Sequence, residues 1–205
     1  MRITGGLSKG HTLISPKSGC RFIRPTSDRV REALFNILAQ AISGSTVLDL
    51  YAGTGALGIE ALSRGAAEAV FIDQSRQALE LIHSNLSTCF PTAKASLLQL
   101  NLSQRDSLQR LKKRIPSGQL FDLIFLDPPY EKKLAEKSLR MVEKGALVQR
   151  DGLVIAEERK DQRLPEQCGT LTLTSQRNYG ETGIWLYRNT DQQHTMSTED
   201  SQVTP

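Results

Sequence analysis

Along most of this chain, short apolar runs alternate with segments whose apolar side chains recur every three or four positions. Residues 46–51, 69–73, 95–102, 121–126 and 152–157 are the runs, rich in Val, Ile, Leu and Phe. Residues 56–64, 75–89, 104–114 and 134–147 carry the helical period; within 75–89, Ala78, Leu79, Ile82 and Leu86 share one face. Continuous apolar runs suit strands covered on both sides, so the alternation predicts repeated β-α units and a mostly parallel sheet between helical layers. A further helix is predicted after Pro25. There Thr26, Ser27 and Asp28 offer capping oxygens, and Val30, Ala33, Leu34, Ile37, Leu38 and Ala41 line one face, leaving Arg29, Arg31 and Glu32 on the other.

Both ends of the chain depart from this rhythm. Residues 170–174 and 184–187 are β-prone, with a Gly-bearing segment and no helix between them, and are expected to pair antiparallel. Residues 1–25 mix Gly, Ser, Lys and Arg with the β-prone pieces Arg2-Ile3-Thr4 and Thr12-Leu13-Ile14, which predicts a small basic hairpin. Residues 190–205 hold almost no large apolar side chains and are expected to stay disordered, since nothing offsets the entropy of ordering them. The expected organisation is therefore a basic extension over 1–25, the main domain over 26–189 and a polar tail over 190–205.

Composition narrows the possibilities. A chain of 205 residues suits one domain with a sizeable core, and 39% hydrophobic with 23% charged residues is ordinary for a soluble protein. No apolar run nears the roughly 18 to 20 residues of a membrane span, and the start lacks a secretory signal, so a cytoplasmic protein is expected. Cys20, Cys89 and Cys168 are scattered, as are His11, His83 and His194, which speaks for reduced thiols and against a metal site or a His-based triad. The net charge of +4 hides an asymmetry: residues 1–31 carry seven Lys or Arg against the single acid Asp28, whereas 190–205 carry three acids and neither Lys nor Arg. Such a basic end, with Arg2, Lys9, Arg24, Arg29 and Arg31, can be the footprint of a nucleic-acid backbone.

Two motifs carry chemistry. Asp49-Leu50-Tyr51-Ala52-Gly53-Thr54-Gly55-Ala56-Leu57-Gly58 sets a glycine loop between a strand and its helix, where a ligand can approach the backbone closely. Asp73, at the end of the next strand, is placed to accept hydrogen bonds from ribose hydroxyls, and Asn101 either to bond an adenine or to cap a turn. An adenosine-bearing cofactor is the natural occupant. The Gly53-x-Gly55-x-x-Gly58 spacing formally matches the dinucleotide fingerprint, which keeps a nicotinamide-dependent oxidoreductase in view. Asp49 would repel a pyrophosphate yet suits the ammonium and sulfonium charges of S-adenosyl-L-methionine, with S-adenosyl-L-homocysteine as product. The second motif is Asp127-Pro128-Pro129-Tyr130. Its two prolines end a strand and leave a carboxylate, a stiff carbonyl and an aromatic face together, a set that can grip a planar amino group. Adenine or cytosine in DNA and a protein glutamine present such groups as well as guanine; a non-catalytic RNA-binding module is the remaining alternative.

Together these residues resemble the class I S-adenosylmethionine-dependent methyltransferases and, among them, the RsmD-type 16S rRNA (guanine-N(2)-)-methyltransferases. The match extends over about residues 1–189 and includes Arg2 to Gly6 with Lys9-Gly10, the block from Arg24 to Asn36, Asp49 to Arg64, Asp127 to Tyr130 and Tyr179-Gly180-Glu181-Thr182. The resemblance implies a Rossmann-like α/β fold with a seven-stranded, mostly parallel sheet whose last strand is antiparallel. It implies a cofactor site at Asp49, Tyr51, Ala52, Gly53, Thr54, Gly55, Asp73 and Asn101, and catalysis by Asp127, Pro128, Pro129 and Tyr130 without a metal. As partner it implies 16S rRNA, within a small ribosomal subunit or assembly intermediate, held by Arg2, Lys9, Arg24, Thr26, Arg29 and Arg31 of a monomeric enzyme. His11 stands where an arginine is common, and Asn101 where related enzymes often have an acid.

Overall fold

The apolar runs become the strands of one sheet in the computed structural model, which describes residues 1–15, 28–130 and 133–190. The strands are β1 (Thr46–Leu50), β2 (Glu68–Asp73), β3 (Lys94–Gln99), β4 (Phe121–Leu126), β5 (Val148–Arg159), β6 (Gln167–Cys168), β7 (Leu171–Tyr179) and β8 (Thr182–Asn189). The helices are α1 (Asp28–Ile37), α2 (Ala39–Ile42), α3 (Ala56–Ser63), α4 (Arg76–Cys89), α5 (Ser107–Lys112) and α6 (Leu134–Lys144). The sheet order is β3-β2-β1-β4-β5-β8-β7-β6. Strands β1 to β5 run parallel, and β8 runs antiparallel to both its neighbours, β5 and β7. This is the expected mostly parallel sheet with a reversed last strand; the eighth strand is the two-residue β6 at the edge.

Successive side chains along a strand point to opposite faces, and the sequence supplies an apolar residue for each. Phe71, Phe125 and Ile155 pack with Leu34, Phe35, Leu57, Ile59 and Ile82 of α1, α3 and α4. Val70, Ile124 and Val154 pack on the other face with Leu111, Leu139 and Val142 of α5 and α6. The final hairpin is longer than the expected 170–174 and 184–187 because the outer half of β7 carries exposed polar residues such as Gln176, Arg177 and Asn178, which leave no apolar signal.

The helix after Pro25 differs from expectation in its buried face. Arg31, Leu34, Phe35, Leu38 and Ile42 are buried and Ile37 is exposed, and the helix breaks at Leu38 into α1 and α2. Phe35 decides the rotation: its ring lies 5.7 Å from that of Phe125 in β4, and the Arg64 guanidinium lies 5.2 Å from the Phe35 ring centroid.

Residues 1–15 form a short ribbon, with a bridge between Arg2 and Thr12 and with Ile3 and Leu13 buried in the core. The ribbon is fastened to α3 through Thr4 and Glu60, and through Leu7 N donating to Ser63 O at 2.7 Å; Ile14 N donates to Asn85 Oδ1 of α4 at 2.8 Å. The expectations for 16–25 and for most of the tail lie outside the described residues, as do Arg24 and Thr26. Among the described residues, no helix is long and apolar enough to cross a membrane.

Candidate active site

In an open parallel sheet, a ligand crevice forms beyond the carboxyl ends of the strands, where the strand order reverses direction. Here that point lies between β1 and β4, since the chain leaves β1 for β2 on one side and later returns to β4 on the other. Leu50, the last residue of β1, pairs with Ile72 of β2 and with Leu126 of β4. The glycine loop, Asp73 and Asp127 therefore leave three adjacent strands at one edge, with strands about 4.8 Å apart.

The loop is shaped by backbone that turns left-handed at Tyr51, Gly53 and Gly55, whose φ values are 66°, 54° and 76°. A left-handed non-glycine residue is uncommon; Tyr51 is held there with its hydroxyl 2.7 Å from Ser138 Oγ of α6. Asp73 anchors the loop from the side: its Oδ2 accepts from Gly53 N at 2.9 Å and its Oδ1 from Ser75 N at 2.7 Å. Asp49 lies beneath, 1% exposed, and its Oδ2 accepts from Gly58 N at 3.0 Å. Burial pushes its carboxyl up to about 7, and the nearby Asp73 charge adds to this against the Gly58 bond.

This arrangement fits a cationic adenosine ligand better than a dinucleotide. In a pyrophosphate site the amides of the first helical turn face the phosphates, whereas here the Gly58 amide is taken by a carboxylate. Gly58 owes its place to packing, since a Cβ there would meet the Phe71 ring at 2.3 Å. Asn101 forms a turn, its Oδ1 accepting from Ser103 N at 2.9 Å, which is the capping role weighed for it beside an adenine contact.

At the end of β4, Asp127 and Tyr130 are half-buried, Pro128 is buried and Pro129 exposed. The Tyr130 hydroxyl donates to Glu157 Oε1 at 2.8 Å and lies 3.2 Å from Thr182 Oγ1. Burial pushes the Tyr130 phenol above its ordinary range, and the Glu157 and Asp127 charges add to this against the Thr182 bond. Neither Glu157 nor Thr182 stands out in the sequence by spacing. The available signals were an acid at the end of an apolar run and the Tyr179-to-Thr182 block.

The basic residues are dispersed. Arg2 and Lys9 are exposed on the ribbon and Arg29 on α1. Leu7 and Ser8 are bonded to Ser63 at the far end of α3, so Lys9 stands near that end, about 12 Å along the helix from the glycine loop. Arg31 is a correction. Expected on the polar face toward phosphate, it is fully buried, with Nε 3.4 Å from Glu60 Oε2 and Nη2 bonded to Asp28 Oδ1 at 2.9 Å and to the Arg2 carbonyl. A buried Glu60 needs buried cations beside it, and Arg31 supplies one.

A glycine loop and an Asp-Pro-Pro-Tyr turn at the β1–β4 switch point, in a sheet whose reversed strand lies between β5 and β7, are the architecture of the class I methyltransferases. The solved structure of yhhF from Escherichia coli shares it with a TM-score of 0.77 at 31% identity, covering 92% of this chain and 97% of that one. The chain belongs to the RsmD-type methyltransferase family, described as Conserved hypothetical protein 95, which matches residues 1–188. Ribosomal RNA small subunit methyltransferase D of Haemophilus influenzae is 36% identical over 192 residues, covering 92% of this chain and 94% of the relative. The protein of the same name from Escherichia coli K12 is 34% identical over 188 residues, covering 92% and 89%.

Proposed function

We propose that the chain transfers a methyl group from S-adenosyl-L-methionine to the exocyclic N2 amino group of a guanine in 16S rRNA. The observation that carries this reading is the pairing of Leu50 with Leu126, which sets the glycine loop beside Asp127-Pro128-Pro129-Tyr130. The names of the relatives at 36% and 34% identity support rRNA of the small subunit as substrate.

Asp73 and the backbone from Tyr51 to Gly55 would hold the adenosyl part, and buried Asp49 favours positive charge nearby. The cofactor supplies an electrophilic methyl group on a good leaving group. The guanine amino nitrogen is a poor nucleophile because its lone pair is delocalised into the ring. The Asp127 carboxylate and the Pro128 carbonyl accept its two N–H bonds and turn the lone pair out of conjugation, while Tyr130 stacks on the base; the methylated nitrogen then gives up one of those protons along its hydrogen bond to the Asp127 carboxylate, leaving neutral N2-methylguanosine. Positioning of this kind is worth roughly 7 to 11 kcal/mol in well-aligned reactions. A base inside a helix cannot reach the crevice, so the nucleotide is flipped or drawn from a loop, and Arg2, Lys9, Arg24, Thr26 and Arg29 of the basic segment hold the flanking backbone.

The test supplies labelled S-adenosyl-L-methionine with unmodified 16S rRNA, naked and assembled into small-subunit particles, and maps the labelled nucleoside. N2-methylguanosine is expected, and Asp127→Ala should lower the rate by about 100-fold or more while leaving S-adenosyl-L-homocysteine binding intact. Label in adenine, cytosine or a protein glutamine, or binding of NAD instead, would overturn the reading.

A further inference from the structure

We propose that Glu157 is a positioning residue of the methyl-acceptor pocket, which together with Thr182 fixes the plane of the Tyr130 ring. This rests on the proposed role of Tyr130 as the platform for the base.

Tyr130 follows two prolines on a loop, so no regular element fixes its side chain. Its hydroxyl is instead met by two groups from the rigid part of the sheet, Glu157 Oε1 at 2.8 Å and Thr182 Oγ1 at 3.2 Å. Glu157 belongs to β5, where it pairs with Ile184 of β8, and Arg159 two residues on pairs with Thr182. The reversal of β8 is what brings its first residue, Thr182, to the edge where β4 and β5 end. One hydrogen bond to a phenol leaves its ring free to swing; two from different strands, with the Pro128-Pro129 backbone behind, do not.

Glu157 is 7% exposed, and a carboxylate so placed costs folding free energy unless it is well paired. A packing position at the end of β5 would be served better by an apolar side chain. A phenol donating to a carboxylate makes one of the stronger hydrogen bonds available to it. With the hydroxyl so engaged, Tyr130 presents the face of its ring to a substrate, which is what stacking requires. The order of the set is then Glu157 and Thr182 on the strands, Tyr130 on the loop, and the base on Tyr130.

Two measurements on the full chain test this. In steady-state methylation of the rRNA substrate, Glu157→Ala should lower kcat about tenfold, within the loss that small misplacement of a reacting group produces. KM for the RNA and affinity for S-adenosyl-L-homocysteine should change little. Glu157→Gln, which keeps an acceptor, should recover most of the rate. Tyr130→Phe should behave like Glu157→Ala, and the double variant should lose no more than either alone. In 19F NMR of protein labelled with 3-fluorotyrosine, the Tyr130 resonance, assigned by its absence in Tyr130→Phe, should shift and broaden in Glu157→Ala and be largely restored in Glu157→Gln. A full rate in Glu157→Ala, an additive loss in the double variant or an unmoved resonance overturns the proposal. Should Glu157→Ala not fold, Thr182→Val carries the test, with a smaller loss of kcat and a shifted resonance expected and no change in either overturning it. If the wild-type protein methylates no rRNA, the functional reading fails, and the resonance still decides whether Glu157 holds the ring.

Discussion

Asp49 is an acid that folding places almost wholly out of water, and its energetics are set by that. Its carboxyl is pushed from 3.8 up to about 7 by burial, with Asp73 adding. Such a group holds its proton better in the folded than in the unfolded state, so the penalty is absent below about pH 4 and complete only once the pH passes about 7. At about 1.4 kcal/mol per pH unit, it amounts to a few kcal/mol at pH 8. Asp49→Asn keeps an acceptor for Gly58 N and should raise the Tm of the ligand-free protein at pH 8 but hardly at pH 4, as thermal scans would record. A cation beside Asp49 favours its ionised form. Affinity for S-adenosyl-L-methionine, measured by calorimetry, should therefore climb as pH rises toward and past 7, and this climb should flatten in Asp49→Asn. The acid itself was legible beside its glycine loop. Its burial, and hence its pKa, was not, because a sequence shows a carboxylate's neighbours in the chain and not those overhead.

At the scale of elements, the N-terminal ribbon, α1 and α3 are joined through one carboxylate. Glu60 Oε2 accepts from Thr4 N at 2.8 Å and from Arg31 Nε, and its Oε1 accepts from Thr4 Oγ1 at 2.7 Å and from Arg64 Nε at 2.8 Å. The side chains of Glu60 and Arg31 are both fully buried. Removing one member strands the others' charge, so Glu60→Ala should cost about 3–5 kcal/mol in urea denaturation. Thr4→Val, which removes only a hydroxyl, should cost about 1 kcal/mol. Hydrogen exchange at Ile3, Gly10 and Leu13, whose amides bond within the ribbon, should accelerate more in Glu60→Ala than exchange in β1 or β4. The helical period after Pro25 announced one helix, which the structure breaks into α1 and α2, and it misplaced Arg31 and Ile37. Periodicity sorts residues by hydrophobicity, and it reads an arginine as outward even where a buried acid awaits it.

At the scale of the whole molecule, Lys9 stands near the end of α3 that lies away from the glycine loop. If the exposed cations Lys9 and Arg29 contact phosphate, log Kd for 16S rRNA should rise linearly with log salt, and alanine at either should lower that slope by about one. Cofactor affinity should depend far less on salt. Filter binding at several salt concentrations with each variant checks both. The alternation of apolar runs and amphipathic segments was enough by itself to determine a parallel sheet covered on both faces, and the glycine loop and the Asp127-to-Tyr130 motif could be placed at strand ends, because each of these is a local property of a few consecutive residues. Which strands adjoin, and in which direction they run, is set by long-range packing. That packing put β8 antiparallel beside β5, brought Thr182 and Glu157 to the Tyr130 hydroxyl, and sank Arg31 against Glu60. The side-chain contacts among these join residues 27 or more positions apart in the chain, and they exist only once the sheet has closed around its two cores.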